Sequence, residues 1–327
     1  MTLPPEATHE RDAGHDGLRL VLFTSDASPI IEPLVMSRHP VAGIIEYRTA
    51  CDERSLPYRL IRRIKRFILR QPYSLADFCA RNGIVHRVTD SGRDPALADW
   101  MQALSPDLMV VYFSPLIDEA IFSIPRHGSI NLHPSLLPLY RGKHPLFWSH
   151  LNMDEEIGVT VHFLARGADN GDIVLQRRFP LVKGRREKEI ELHAVRDVGV
   201  PLLLEAIDMI ARGEVRPKPQ PRQSPTPPAR RIRSHELRDM IDWEHWPIER
   251  VWTLLRFAED WPGLLPRAPG WRRRLPWSIA HYVKGKSEGV PWQIRYDEQG
   301  FYLHHPEGKI SLRTRLDVKQ LISEILR

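Results

Sequence analysis

Cysteine is scarce and long apolar runs are missing from this 327-residue chain. The only two cysteines, Cys51 and Cys79, allow neither a disulfide framework nor a thiolate metal cluster. Because no run of about 18 apolar residues occurs, no segment is expected to span a membrane. Residues 1–16 are polar and mixed in charge, which predicts a disordered tail and not a signal peptide. These absences favour a reducing, cytoplasmic setting.

A glycine-rich dinucleotide-binding motif is also missing. The first apolar segment continues into the sequence TSDASP and contains no G-x-G-x-x-G, so an NAD site is not expected. Apolar, strand-like segments nevertheless alternate with helical ones along the first two thirds of the chain. This alternation predicts an α/β fold with a doubly wound, mostly parallel sheet. The strand-like segments are residues 18–23, 41–47, 83–88, 106–113, 128–133 and 158–164.

Proline is unevenly distributed along the chain. Six prolines fall within residues 215–230, and such a run predicts a semi-rigid, extended connection that lies outside any packed core. We therefore expect a first domain at 17–214, a linker at 215–232 and a C-terminal domain at 233–327. The C-terminal part has a helical segment, then short alternating segments around the turn sequence DEQG, which predict a small β-rich structure of barrel type.

The charge balance is basic, with a formal net charge of +6. This balance permits an anionic partner, but it is also common among basic enzymes. Residues 60–70, LIRRIKRFILR, predict an amphipathic helix with a basic face, and two basic tracts, PARRIRS and GWRRRLPW, follow in the C-terminal part. Each of these could contact phosphates or form a solvated surface, so nucleic-acid binding stays open.

Polar side chains interrupt the strand-like segment at 128–133. Asn131 and His133 are two residues apart, so in an extended strand they project from the same face, roughly 6.5 to 7 Å from each other. The next strand-like segment contains His162, and the loop after it carries Asp169 in the sequence DNGD. No H-x-x-x-H or Cys/His spacing occurs at this site, so no metal is expected.

These residues resemble a known family. The string NLHPSLLP at 131–138, YRG at 140–142, and then His162 and Asp169 are similar to the 10-formyltetrahydrofolate-dependent formyltransferases. The resemblance covers residues 18–213 and implies a Rossmann-like formyltransferase domain. Downstream, the IDW and WPG sequences within 241–263 resemble a segment that precedes an OB-like barrel in some relatives. The resemblance therefore implies a small OB-like C-terminal domain.

The resemblance also implies roles for individual residues. An amine would attack the formyl carbon of 10-formyltetrahydrofolate, a co-substrate, and Asn131 would donate to the oxyanion. His133 would donate to the same oxygen or relay a proton, while Asp169 would raise the pKa of His133 and accept the amine proton directly or through water. Alternatively, Asn131 ends a strand, His133 is structural and Asp169 is a turn residue. The pterin ring is expected between two loops, formed by Phe113, Ser114, Pro115 and Leu116 and by Arg166, Gly167 and Ala168.

The amine acceptor is less constrained by the sequence. We expect a small amine, foremost the amino group of a nucleotide-linked sugar, because LYRGKHP departs from the W-R-G-A-A-P-like continuation that is usual in the tRNA enzymes. Methionyl-tRNA and hydroxyornithine are the alternatives. A non-enzymatic alternative is a nucleic-acid-binding module with a decayed formyl site. The oligomeric state is open, with a homodimer as one option.

Overall fold

The structure is a computed structural model that describes residues 17–25, 28–48, 74–266 and 277–314. The tail expected at 1–16, the basic helix expected at 60–70 and most of the tract GWRRRLPW lie outside the described residues. Among the described residues, no helix combines the length and the apolar character needed to cross a membrane.

The first domain is built on a seven-stranded sheet with the order β3-β2-β1-β4-β5-β6-β7. The first five strands pair in parallel, whereas β6 is antiparallel to both β5 and β7. This confirms the predicted doubly wound, mostly parallel sheet. The strands are β1 Leu20–Thr24, β2 Val41–Tyr47, β3 Val85–Thr89, β4 Leu108–Val111, β5 Ser129–His133, β6 Glu156–Phe163 and β7 Ile173–Pro180.

Both faces of the central strands are buried. Leu20 and Leu22 of β1 belong to one apolar cluster, whereas Val21 and Phe23 belong to a second cluster on the opposite face. This division follows from the two-residue period of a strand, and a strand that is covered on both sides reads as a continuous apolar run. The helices of this domain are α1 Ile31–Val35, α2 Leu75–Arg81, α3 Pro95–Leu104, α4 Glu119–Phe122, α5 Pro145–Leu151, α6 Glu187–Leu192, the π-helical turn His193–Gly199, and α7 Val200–Ala211, as far as the structure describes the chain.

The C-terminal part contains a separate four-stranded antiparallel sheet with the order β8-β11-β10-β9. Its predicted hairpin is confirmed, because Asp297 pairs with Gly300 across the DEQG turn. A third apolar cluster joins this sheet to the helices before it and to α5 of the first domain. The elements are α8 Ser234–Met240, α9 Ile248–Phe257, β8 Trp277–Lys284, β9 Ile294–Asp297, β10 Gly300–His305 and β11 Gly308–Thr314. The closure of this sheet into an OB-like barrel stays a prediction.

The proline-rich segment at 215–232 runs between these parts without a helix or a strand of its own. The expectation that it lies outside any packed core is wrong at its end, where Ala229 is 0% exposed and Ile232 is 3% exposed. Lys218 also forms an isolated antiparallel bridge with Ile173, the first residue of β7. The segment therefore packs against the first domain.

Candidate active site

Asn131 and His133 lie at the carboxyl end of β5, on the strand that joins the parallel and antiparallel parts of the sheet. The antiparallel register places Asn131 opposite His162 of β6. Cross-strand partners project from the same face of a sheet, so these polar side chains gather at one place. His133 and His162 are buried, while Asn131 keeps partial exposure.

The loop after β6 brings in Asp169. Because β6 is antiparallel to β5, its last residue, Phe163, pairs beside Ile130 near the start of β5. The loop then folds back, and Asp169 has a positive φ of 50° that places its carboxylate between both histidines. Gly171 is required in this turn, because a Cβ there would lie 1.9 Å from the carbonyl oxygen of Phe163.

The structure brings together the three side chains that we expected to be catalytic. Oδ1 of Asp169 lies 3.4 Å from the Asn131 amide nitrogen Nδ2 and 3.7 Å from Nδ1 of His133. The same oxygen lies 3.6 Å from Nε2 of His162. His162, to which we assigned no role from the sequence, is therefore part of the cluster. The other carboxylate oxygen, Oδ2, accepts the backbone amide of Gly142 at 2.9 Å.

The hydrogen-bond network assigns the tautomers of the two histidines. Nδ1 of His162 lies 2.8 Å from the carbonyl oxygen of Phe163, so it donates there, and Nε2 accepts the Asn131 amide at 3.2 Å. Nε2 of His133 lies 3.2 Å from the carbonyl oxygen of Tyr140 and donates to it. The neutral His133 ring therefore presents the lone pair of Nδ1 towards Asp169 and the site.

The charges at this site are set mainly by burial. Burial lowers the pKa of His133, and the attraction of Asp169, which acts to raise it, does not compensate. Asp169 therefore acts to raise the pKa of His133, as expected. The expectation of a raised pKa is nevertheless wrong, because burial outweighs this effect and the pKa is lowered overall. Burial acts to raise the pKa of Asp169, but the two histidines and the Gly142 amide together hold it below its ordinary value. At neutral pH the carboxylate is ionised and His133 is neutral.

The two loops expected to flank the pterin ring lie near each other. Phe113 follows β4 with a positive φ of 56° and is 60% exposed, and Leu116 is 55% exposed. Arg166 of the opposite loop forms an ion pair with Glu119 of α4. Ser114 and Pro115 are partly buried, and Gly167 and Ala168 are exposed. The structure therefore leaves an exposed aromatic and an exposed aliphatic side chain on the loop that follows β4, the strand that pairs with β5.

Other contributors were not visible in the sequence. Tyr140 contributes its backbone carbonyl and Gly142 its backbone amide. The side-chain types of these residues therefore do not indicate the contacts. The side chain of Gln220 contacts the Asp169 loop from the proline-rich segment. The loop after β5 turns sharply at Tyr140 (φ 56°) and Gly142 (φ 128°). In the sequence, only the glycine could have indicated this turn. Among the described residues, no group of three or more His, Cys, Asp or Glu side chains is placed to hold a metal ion.

Comparisons with known proteins show the family to which this chain belongs. The family model described as Formyl transferase matches residues 69–207. The methionyl-tRNA formyltransferase of Roseiflexus castenholzii is 36% identical over 239 residues, which is 72% of this chain and 73% of that one. The chain belongs to the 10-formyltetrahydrofolate-dependent formyltransferase family. Two other methionyl-tRNA formyltransferases match over 55% and 52% of their length, so the chain spans about half of these relatives.

Two solved structures illustrate the fold that this chain shares with known proteins. HypX from Aquifex aeolicus, in complex with tetrahydrofolic acid, superposes with a TM-score of 0.58 at 18% identity over 91% of this chain and 44% of that one. The N-formyltransferase from Helicobacter canadensis, in complex with folinic acid and dTDP-3-aminofucose, gives a TM-score of 0.56 at 16% identity over 91% and 99%. The curated relatives favour the tRNA alternative over the nucleotide sugar that we expected first from the sequence.

Proposed function

We propose that this formyltransferase-family protein moves a formyl group from 10-formyltetrahydrofolate to a primary amine. The observation that carries the proposal is the convergence of Asn131, His133 and Asp169 within hydrogen-bonding or ion-pairing distance at the end of β5. An amide donor, a neutral imidazole and an ionised carboxylate are the groups that acyl transfer to an amine requires.

Asn131 stabilises the tetrahedral intermediate in this proposal. The amine nitrogen forms a bond to the formyl carbon, and the carbonyl electrons move onto the oxygen. One Nδ2 hydrogen of Asn131 is used by His162, whereas the contact with Asp169, at 3.4 Å, is long. That second hydrogen turns to the oxyanion, an interaction worth about 3 to 4 kcal/mol in other acyl-transfer sites.

The proton passes through His133. Because burial keeps its ring neutral, His133 can accept the proton that the attacking amine must lose. The Asp169 carboxylate, 3.7 Å away, stabilises the resulting imidazolium. With its pKa held low, Asp169 is a weak proton acceptor but a reliable negative charge. Collapse of the intermediate breaks the bond from carbon to N10, and the proton goes to the departing N10 of tetrahydrofolate.

The folate is proposed to lie against Phe113 and Leu116. An exposed aromatic ring held at a positive φ beside a catalytic cluster provides a stacking surface for a flat heterocycle. Ser114 and Pro115 supply backbone contacts on the same side, and residues 166–168 close the opposite side.

Methionyl-tRNA is the acceptor that we propose first. Three curated relatives, each at least 31% identical over 68% or more of the chain, are methionyl-tRNA formyltransferases. A property of this chain agrees with that acceptor. A row of exposed cations lies in the segment that is hydrogen-bonded to residues 134–144, here called the catalytic loop, and such a row suits a polyanion. The row consists of Arg216, Lys218, Arg222, Arg231 and Arg233, and residues 215–233 contain no acidic side chain, although Arg230 is paired with Glu236 just beyond them.

An amino-sugar nucleotide is the second candidate. The YRGKHP continuation at 140–145 departs from the pattern of the tRNA enzymes, and a sugar N-formyltransferase matches the fold over nearly its whole length. Its pyrophosphate would suit the same row of cations.

Release of tetrahydrofolate from 10-formyltetrahydrofolate tests the proposal directly. The purified protein is given methionyl-tRNA, a panel of amino-sugar nucleotides or hydroxyornithine, with Asp169→Asn as the inactive control. Rapid release with charged tRNA, weakening steeply between 50 and 200 mM salt as phosphate contacts require, supports the first acceptor. Release with one sugar alone supports the second. Salt-sensitive RNA binding with no release from any acceptor would contradict formyl transfer and favour the non-enzymatic alternative.

A further inference from the structure

The proline-rich segment lies directly on the catalytic loop. The backbone amide of Tyr140 donates to Oγ1 of Thr226 at 2.7 Å, and the backbone amide of Ala229 donates to the carbonyl oxygen of Arg141 at 2.8 Å. The amide of His144 in turn donates to the carbonyl oxygen of Ala229 at 2.9 Å. The chain that connects the two sheets is thus bonded to the turn that carries the Gly142 amide.

One side chain of this segment joins both halves of the site. Oε1 of Gln220 accepts hydrogen bonds from Nε and Nη2 of Arg141 at 3.1 and 2.9 Å. Its Nε2 donates to the carbonyl oxygens of Asp169 at 3.1 Å and of Gly171 at 2.6 Å. Both acceptor positions and both hydrogens of the amide are used, two towards the catalytic loop and two towards the Asp169 loop.

The side chain of Arg141 also donates hydrogen bonds to the proline-rich segment. This side chain is only 9% exposed, and its hydrogen bonds within the described residues go to neutral oxygens. Besides Gln220 these are the carbonyl oxygens of Pro221, at 2.8 Å, and Arg222, at 3.4 Å. A buried guanidinium is costly without such acceptors. Arg141 therefore favours one position of residues 220–222, and this position aims Gln220 at the Asp169 loop.

The atoms that Gln220 holds lie on either side of the Asp169 turn. Asp169 has a positive φ of 50°, a conformation that most L-residues avoid, and its carboxylate direction depends on that backbone. Two hydrogen bonds from one rigid amide to the carbonyls of Asp169 and Gly171 restrict the rotation of the turn. The same restriction keeps Oδ2 in place for the Gly142 amide.

We propose that Gln220 is a positioning residue for formyl transfer, and that it holds the Asp169 turn against the catalytic loop. The proline-rich segment then contributes a positioning side chain to the active site. The inference rests on the proposed function, because the direction of the Asp169 carboxylate affects the rate only if that carboxylate takes part in formyl transfer. A brace with a purely structural role would lower the melting temperature and leave the chemistry of the folded enzyme unchanged.

Two substitutions distinguish the hydrogen bonds of Gln220 to Arg141 from those to the Asp169 turn. Gln220→Glu keeps an acceptor for Arg141 but replaces both N–H donors, so it releases only the Asp169 turn. Gln220→Met removes both interactions. Gln223→Met is the matched control, because Gln223 is an exposed glutamine in the same segment. We expect kcat to fall about 10- to 100-fold in both Gln220 variants, since small misplacements of catalytic groups have effects of that size. The KM for 10-formyltetrahydrofolate should change less than about twofold, because the side-chain hydrogen bonds of Gln220 go to Arg141, Asp169 and Gly171 and not to residues of the proposed folate loops.

Hydrogen–deuterium exchange supplies a readout that needs no turnover. Peptides that cover residues 139–144 should exchange faster in the Gln220 variants, because the Gly142 amide loses its fixed acceptor, whereas peptides from β4 should not change. A Gln220→Glu enzyme with normal kcat and normal exchange would overturn the inference. So would variants whose melting temperature falls while kcat of the folded enzyme stays normal. If the wild type releases no tetrahydrofolate with any acceptor, the proposed function fails, and the exchange of 139–144 still decides whether Gln220 holds the turn.

Discussion

The backbone amide of Gly142 donates a hydrogen bond to Oδ2 of Asp169 at 2.9 Å. The two carboxylate oxygens therefore have different partners. Oδ2 is bound by the catalytic loop, whereas Oδ1 faces Asn131, His133 and His162. Two loops that are 27 residues apart in sequence thereby fix one negative charge next to two imidazole rings. The rate of formyl transfer should therefore depend on that charge and on the rings that it faces.

Replacing Asp169 by asparagine should lower kcat by at least about 100-fold, because the neutral amide cannot stabilise a positive charge on His133. The side chain keeps its size, so the fold should be kept, but the melting temperature should fall somewhat, because the lowered pKa of Asp169 means that the folded protein stabilises its carboxylate. Tetrahydrofolate release gives the rate. Asp172→Asn, an exposed acid in the same loop, is the matched control and should keep the wild-type rate. Near-normal turnover by Asp169→Asn would rule out the proposed role of its charge.

The rate should depend on pH through His133. Burial lowers the pKa of this group below its usual 6.5, so its neutral, proton-accepting form persists until the pH falls below that value. We expect kcat/KM, after division by the unprotonated fraction of the acceptor amine, to be flat between about pH 7 and 8 and to decline only below about pH 6.5. Initial rates at constant ionic strength test this expectation. A decline that already begins well above pH 6.5 would mean that Asp169, and not burial, dominates the titration of His133.

Truncating Phe113 should weaken folate binding more than chemistry. Phe113→Ala removes an exposed ring at the proposed pterin site, and loss of such a stacking contact is worth about 0.5 to 1.5 kcal/mol. The KM for 10-formyltetrahydrofolate should therefore rise several-fold, up to about tenfold, with kcat nearly unchanged. Met36→Ala removes another exposed apolar side chain, 80% exposed on the loop after α1, and should change neither constant. An unchanged KM in Phe113→Ala would place the pterin ring elsewhere.

A second buried histidine should make stability depend on pH. Burial lowers the pKa of His150 to about 4; its Nδ1 donates to the carbonyl oxygen of Leu146, and Nε2 has no hydrogen-bond partner among the described residues. Because the unfolded chain binds a proton near pH 6.5 and the folded one does not, stability is lost as the pH falls from 6.5 towards 4. This one group should account for about 2 kcal/mol between pH 7 and 5.

Melting temperatures of the wild type and of His150→Leu at both pH values test the contribution of His150. The decline on acidification should be smaller in His150→Leu, which cannot titrate. His235→Leu, which replaces an exposed histidine, should decline as the wild type does. Equal declines in all three proteins would show that His150 is not buried as a neutral ring.

Much of the sheet and part of the site follow from local patterns in the sequence. Each buried parallel strand reads as an apolar run because both of its faces are covered, and β1 and β4 are fully buried as that rule requires. The two-residue period of a strand places Asn131 and His133 on one face whatever surrounds them. The motif around these residues identified the family, and it also led to Asp169, although spacing alone could not tell a catalytic acid from a turn residue.

The sequence by itself therefore determined the α/β sheet, the antiparallel C-terminal hairpin, the family and the three side chains of the proposed catalytic cluster. The tertiary structure alone decided how those side chains are held and charged. The Tyr140 carbonyl and the Gly142 amide act through backbone atoms that every residue type possesses, and Gln220 reaches the Asp169 turn from 51 residues away. The net pKa direction of His133 likewise depends on burial, which arises only when β5, β6 and the catalytic loop pack together and exclude water.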